Sequence, residues 1–210
     1  QEARLMARPR TDIAPRIIQA ARRRFLTEGV DGASLRRIAR DARTSIGMIY
    51  YYFPTKDDLF FRVLEDVDAA MLSDLEKVVA IDAPVAERIR RLSVRMSELS
   101  DTEIEVVRLV VREAISSSAR LDRLIERFRQ GHLALVLRAV GEGIARGEID
   151  ARFHPVLLMM STFALGALPH LVRRVIGDRA PFADVPRGEP LANQLVEILF
   201  SGIGPKKAVP

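Results

Sequence analysis

SLRRIARDARTSIGMIYYYFPTKDD, residues Ser34 to Asp58, is the stretch that decides the fold. It reads as a short helix, a tight turn, a second short helix, an aromatic run and the start of a longer helix. On the first helix Leu35, Ile38, Ala39 and Ala42 recur at helical spacing and mark an inward face. The second helix opens on the polar Ser45, holds Gly47 and closes on Tyr50, Tyr51, Tyr52 and Phe53. Pro54 stops it. Thr55-x-x-Asp58 then has the spacing of a capping box, with Asp where Glu is commoner. Two short helices joined by a tight turn follow the plan of a helix-turn-helix, whose second helix can enter the DNA major groove.

Upstream, Thr11 or Asp12 can cap a first helix, with Pro15 tolerated in its opening turn. Ile13, Ile17, Ala21 and Phe25 form one buried stripe on it. Gly29 is the natural end, where the chain must turn left-handed. Val30 to Ala33 lead to Ser34, a good N-cap. Downstream, a long helix is expected from Thr55 to about Val79 on Leu59, Phe60, Val63, Leu64, Val67, Ala70 and Met71. Further helices are expected from Pro84 to about Leu99, Asp101 to about Ser117, Leu121 to Arg146, Pro155 to about Ile176 and Pro190 to about Ser201. Pro169 should kink or break the apolar stretch that begins at Pro155. No useful strand alternation and no internal repeat occur.

The expectation is therefore an all-α chain of about nine helices. A three-helix helix-turn-helix domain with a basic arm would occupy residues 1–55, and a larger helical effector-binding and dimerisation domain residues 56–210. Residues 1–12 read as the arm. The tail GPKKAVP reads as frayed.

Charge supports this division. Residues 1–60 hold twelve Arg or Lys against seven acids, an excess of +5 that equals the whole net charge. A basic segment on a neutral body is the electrostatic footprint of nucleic-acid binding. Arginine outnumbers lysine throughout, which base composition of the genome could explain, but composition would not gather the excess at one end. The chain has no cysteine, so thiolate sites for zinc or iron–sulfur clusters are excluded. No apolar run is expected to reach the roughly 18 residues of a membrane span. No basic-then-apolar leader opens the sequence, which fits the cytoplasm. The three histidines, the lack of a phosphate-binding glycine loop and the lack of an HExxH motif argue against an enzyme. Acid pairs such as Glu103/Glu105 and Asp57/Asp58 read as helix N-terminal charges. No catalytic residue, metal ligand or cofactor is expected.

Residues 13–65 resemble the DNA-binding domain of the TetR (tetracycline-repressor) family. The matching residues are Ile17, Ala20, Ala21, Phe25 and Gly29, then Ser34, Leu35, Ile38, Ala39 and Ala42, then Ser45, Gly47, Ile49, Tyr50, Tyr52, Phe53, Lys56 and Leu59. The resemblance implies a transcriptional regulator, usually a repressor, that binds a pseudo-palindromic operator in double-stranded DNA as a homodimer. It also implies a small-molecule effector pocket in the body, with no membrane as partner. Relatives often carry Gly-Val in the turn, where this chain has Arg43-Thr44. Either Arg43 adopts a left-handed conformation at a cost of about 1 kcal/mol, or the turn is built differently and Arg43 reaches a phosphate. Ile46 and Met48 stand where relatives often place polar readers, so base reading would use thymine methyl contacts and DNA shape.

The expected DNA contacts follow. Ser34 and Ser45 cap helix N-termini, which attract phosphate. Gly47 lets backbone approach DNA, or serves helix packing. The resemblance implies phosphate contacts from Tyr50 and Tyr51, and Lys56 should meet a phosphate as a point charge. Of Arg36 and Arg37, one should touch DNA and the other be solvated. Arg43, Thr44, Ile46 and Met48 complete the set. Phe53 is expected in the core on Phe25 and Leu59, and Tyr52 could be on either side. Pocket candidates are Met96, Val107, Val111, Phe128, His132, Met159 and Phe163, each also able to be an ordinary core residue. The dimer candidates, on the last two long helices, are Leu158, Phe163, Leu165, Leu195 and Leu199. The competing reading is a helix-turn-helix regulator controlled by a protein partner or by no effector.

Overall fold

The computed structural model describes residues 13–116, 118–181 and 183–203. The expected basic arm, the Thr11/Asp12 cap and the tail beyond residue 203 lie outside the described residues. The elements are α1 (Ile13–Gly32), α2 (Leu35–Asp41), α3 (Ile46–Tyr52), α4 (Lys56–Val79), α5 (Val85–Ser97), α6 (Asp101–Ser116), α7 (Ser118–Gln130), α8 (His132–Ala145), α9 (Pro155–Gly166), α10 (Leu168–Ile176) and α11 (Gly188–Ile203). The described residues contain no strand. The fold is all-α, as the sequence implies.

Two of the expected nine helices are each divided, which gives eleven. The stretch expected as one helix from Leu121 to Arg146 breaks at Gly131 (φ −117°, ψ −100°). A Cβ there would lie 3.1 Å from the Leu72 side chain, so the break coincides with a close approach that glycine permits. The apolar stretch from Pro155 breaks at Ala167, two residues before Pro169. Proline has no amide proton to continue α9 and is well placed in the first turn of α10.

The expectation about apolar length needs correction. Pro155–Arg174 has a mean hydropathy of 1.6 and, by length and composition, could cross a bilayer. Here that stretch is two helices, and Leu158, Met159, Thr162, Gly166 and His170 are buried in a core.

Chain packing divides the described residues into two compact units, one from 13–70 with 101–124, the other from 71–100 with 125–203. The units do not follow the division expected at residues 55 and 56, because α6 and the start of α7 belong with the first helices. In the first unit α1 buries Ile17, Ala20, Ala21 and Phe25, α2 buries Ile38 and Ala39, and α3 buries Ile49. Phe25 meets Phe60 of α4 edge to face, ring centres 6.1 Å apart. α6 packs on α1 and buries Val106 and Leu109.

Gly29 takes the positive φ its sequence position suggested, +75°, but it kinks α1 rather than ending it, and the element runs on to Gly32. A Cβ there would stand 2.8 Å from Arg112 Nη2, so both backbone and space favour glycine. The capping box forms in both directions: Thr55 N donates to Asp58 Oδ2 (3.1 Å) and Asp58 N to Thr55 Oγ1 (3.0 Å).

In the second unit, α5 and α9 pack on α11, and α8 packs on α5 and α9. Its core includes Leu75, Val85, Leu92, Leu135, Val140, Ile149, Leu158 and Leu199. One buried polar pair crosses it, Ser93 Oγ with His170 Nε2 at 3.0 Å. Burial pushes the His170 imidazole below its ordinary pKa, because the charged form cannot be solvated there.

Candidate nucleic-acid interface

α3 owes its direction to two anchors. Ile49 is fully buried and Phe53, its C-cap, nearly so. That turns the opposite face outward: Ile46, Gly47, Tyr50 and Tyr51 are exposed, Tyr51 by 76%. These four lie one helical turn apart in pairs and share a face. Met48 and Thr44 are half-buried, and Ser45 is exposed. Tyr52 packs between Tyr51 (5.1 Å, edge to face) and Phe53 (6.2 Å), so the tyrosine run divides into two outward rings and one supporting ring. Phe53 enters the core as expected, while the ring that meets Phe25 edge to face is Phe60.

Ser45 caps α3, its Oγ accepting from Met48 N at 3.3 Å. Ser34 occupies the N-cap of α2 but makes no such side-chain bond. Gly47 is not required by packing, since a Cβ there would meet only Ser45 Oγ, at 3.7 Å. Its exposed backbone is open to a ligand. In the turn, Arg43 has φ +52°, the left-handed conformation, while its amide donates to Arg40 O and the Thr44 amide to Ala39 O, both at 3.0 Å. The first of the two alternatives for this turn therefore holds, at a cost of about 1–2 kcal/mol for a residue with a Cβ.

The cationic residues of this unit differ in what they have left to offer. Arg24 binds Asp41 (2.7 Å) and Glu28 (2.8 Å), and Arg37 binds the other oxygen of Glu28 (2.9 Å). The Arg24 guanidinium holds the Asp41 carboxyl below its usual range. Arg36 and Arg43 are exposed and have no ion-pair partner among the described residues. Lys56 Nζ donates to Val30 O and Asp31 O, both at 3.0 Å, tying the start of α4 to the end of α1. One Nζ proton remains for a further acceptor.

A residue with no signal in the sequence organises the back of this head. Arg120, on α7, is buried and faces three carboxylates: Glu113 (2.7 Å), Asp31 (2.6 Å) and Asp57 (3.1 Å). The other Glu113 oxygen accepts from Val30 N at 3.3 Å. Arg120 holds the Asp31 carboxyl below its ordinary range, chiefly by hydrogen bonding. Beside it, Arg123 lies over the Phe61 ring at 4.1 Å. The partners of Arg120 are up to 89 residues distant in sequence, so no local pattern announces them.

The pocket candidates separate. In the second unit a small apolar cavity of about 20 Å³ is lined by Met96, His132 and Phe163, together with Leu75, Val79, Leu92, Leu135, Val136, Thr162, Gly166 and Ala167. Phe128 meets His132 edge to face at 5.2 Å, one layer behind the wall. Met159 sits in the core. Val107 and Val111 are on α6 in the first unit, and Val111 is half exposed, so neither lines this cavity. The helical period placed them on an apolar face but could not say which unit that face served.

Of the dimer candidates, Leu158, Leu195 and Leu199 are buried in the chain's own core, and Phe163 and Leu165 pack against it. The apolar side chains these helices leave exposed are Val156, Leu157, Met160, Leu168 and Ile198.

A three-helix head with the outer face of its third helix open defines a helix-turn-helix DNA-binding unit. Known proteins agree. The family described as bacterial regulatory proteins, tetR family, matches residues 17–63. A helix-turn-helix transcriptional repressor of Streptomyces coelicolor, SCO4008, is 33% identical over 168 residues, spanning 77% of this chain and 82% of that protein. The chain belongs to the TetR family and is a transcriptional regulator. Among solved structures, the regulator FadR of Bacillus subtilis in complex with stearoyl-CoA superposes with a TM-score of 0.70 at 22% identity, covering 90% of this chain and 98% of that one. The fatty acid degradation regulator FadR of Bacillus halodurans gives 0.71 at 17% identity, covering 93% and 98%. At these identities the likeness concerns the fold.

Proposed function

We propose that this regulator is a repressor that binds a pseudo-palindromic operator as a homodimer in the cytoplasm, and that a small apolar effector releases it. Residues 1–55 would read DNA, and residues 56–210 would bind effector and dimerise. The observation that carries the reading is the outward face of α3, where Ile46, Tyr50 and Tyr51 stand exposed around a glycine that packing does not need. Tyr50, Tyr51, Ser34, Ser45, Thr44, Arg43 and Lys56 would hold phosphates. Ile46 and Met48 would meet thymine methyl groups. Arg36 is the better of the two α2 arginines for phosphate, since Glu28 already engages Arg37.

One recognition helix buries too little for a specific site, so two copies are needed. The exposed Val156, Leu157, Met160, Leu168 and Ile198 supply apolar surface for pairing them. The apolar cavity, together with the complex of the Bacillus subtilis relative with stearoyl-CoA, supports an apolar effector. The size of the cavity favours a second reading, control by a protein partner or by no effector. About 20 Å³ holds little more than a water, far below the several hundred Å³ of ligand pockets. A thermal-shift screen with small apolar compounds separates the two: no stabilisation by any compound class, with DNA binding intact, selects the second.

The test of the DNA reading is selection of bound sites from a random DNA pool, followed by titration at several salt concentrations. We expect a pseudo-palindrome, and a log–log salt slope of several units from about 4–6 phosphates per subunit. Tyr50→Phe should weaken binding, and Arg36→Ala should lower the slope by about one unit per subunit while Arg37→Ala changes it less. A flat salt response would overturn the reading.

A further inference from the structure

Arg88, on α5, is 96% buried, with 4% of its surface accessible, but its hydrogen bonding is incomplete. Nη1 donates to Glu142 Oε2 at 2.5 Å. Nε is buried with no hydrogen-bond partner. A guanidinium N–H stripped of water and given no acceptor is costly, so its retention needs a reason.

Its surroundings supply one. Arg88 lines a small apolar cavity of about 10 Å³ with Val79, Ile89, Leu92, Val136, Ala139 and Val140. Val79, Leu92 and Val136 also line the larger cavity that reaches His132 and Phe163. Three side chains thus form a common wall, with a cation beyond one side and an aromatic-lined space beyond the other. Glu142 is 41% exposed at its side chain and could turn to solvent, releasing Nη1 as well. A planar guanidinium with two adjacent donors matches a carboxylate.

We propose that Arg88 is the anion anchor of the effector site, and that the effector is an apolar chain ending in a carboxylate. The carboxylate accepts from Arg88 Nε, and the chain parts the Val79–Leu92–Val136 wall toward Phe163. This rests on the reading that the second unit takes an apolar effector. It adds the charge of that effector and the residue that selects it.

The test uses the full chain, with sodium dodecanoate and 1-dodecanol as probes below the concentration at which either aggregates. Binding is followed by calorimetry, and release by operator fluorescence anisotropy. We expect dodecanoate to bind at least about tenfold more tightly than dodecanol. Arg88→Met should erase that preference while leaving operator affinity without ligand unchanged. Glu142→Gln should strengthen dodecanoate and leave dodecanol unaltered, because it removes the competing carboxylate. If wild-type protein binds both probes equally, or Arg88→Met keeps the preference, the anchor is refuted and the apolar-effector reading stands. If neither probe binds, both fall. Should Arg88→Met fail to fold, the wild-type comparison and Glu142→Gln still decide.

Discussion

Arg120 in the first unit and Arg88 in the second are both buried guanidinium groups, and they are satisfied to different degrees. Arg120 meets three carboxylates, one of which, Glu113, is itself buried. Arg88 meets one, Glu142, whose side chain is partly exposed, and keeps an N–H without an acceptor. A buried charge surrounded by partners fixes geometry. A buried charge left one acceptor short is suited to receiving one. On this view the first unit is built to hold the α1–α2 connection and the start of α4 in one place behind the reading helix, and the second to respond.

The largest effect should come from cutting the better-satisfied residue. Arg120→Met leaves Glu113 buried and unpaired, and breaking a buried pair in this way costs about 3–5 kcal/mol. Arg88→Met leaves Glu142 free to hydrate, and its cost should be about 1 kcal/mol or less after solvent screening. Denaturant unfolding of the two variants measures the contrast. The double variant Glu113→Gln/Arg120→Met should recover part of the loss, because no buried charge remains. Equal costs for the two single variants would erase the distinction between the units.

The parts of this arrangement that could be read from sequence are those fixed by neighbouring residues. Gly29, the Thr55–Asp58 box and the Ser45 cap each depend on bonds spanning four residues or fewer, and each is where the pattern places it. The alternatives at Arg43 were legible as a choice, and its φ decides between them. The Arg120 cluster was not legible, since it joins α7 to residues 63 and 89 positions away. Nor could the pattern orient α9. Its residues are apolar nearly all round, so period alone does not separate the side that meets the chain's own core, Leu158, from the side left open, Leu157 and Met160. The same limit left open which unit Val107 and Val111 serve, and the structure places them in the first. A helix face reveals that it must be covered, not by what.

Arg43 offers a sharper look at the first unit, which is well partnered but not without strain. Its left-handed φ suits glycine, and Arg43→Gly should raise stability by up to about 1 kcal/mol, net of the entropy glycine adds to the unfolded chain. Operator affinity should fall, since an exposed cation beside α3 is lost. Improved stability with unchanged affinity would remove Arg43 from the interface. Unchanged stability would mean that Arg43 is relieved elsewhere in the turn.

Acid should separate the units by the smallest but most direct margin. His170 is buried against Ser93 with its pKa pushed below the ordinary 6.5, so the folded second unit favours the neutral ring. That contribution is complete above about 6.5 and erodes as pH falls, because the unfolded chain takes up the proton first. Asp31 and Asp58 are held below their ordinary 3.8, by Arg120 and by Thr55 respectively. Their contributions persist until pH drops below about 3.8 and are lost only as it passes the depressed values. Hydrogen exchange between pH 7.5 and 5, corrected for intrinsic rates, should therefore show protection falling in α5 and α10 while α1 to α3 hold. His170→Phe should flatten the response of the second unit alone. If both units lose protection together, His170 is not what sets the acid limit of its unit, and the chain opens as one cooperative body.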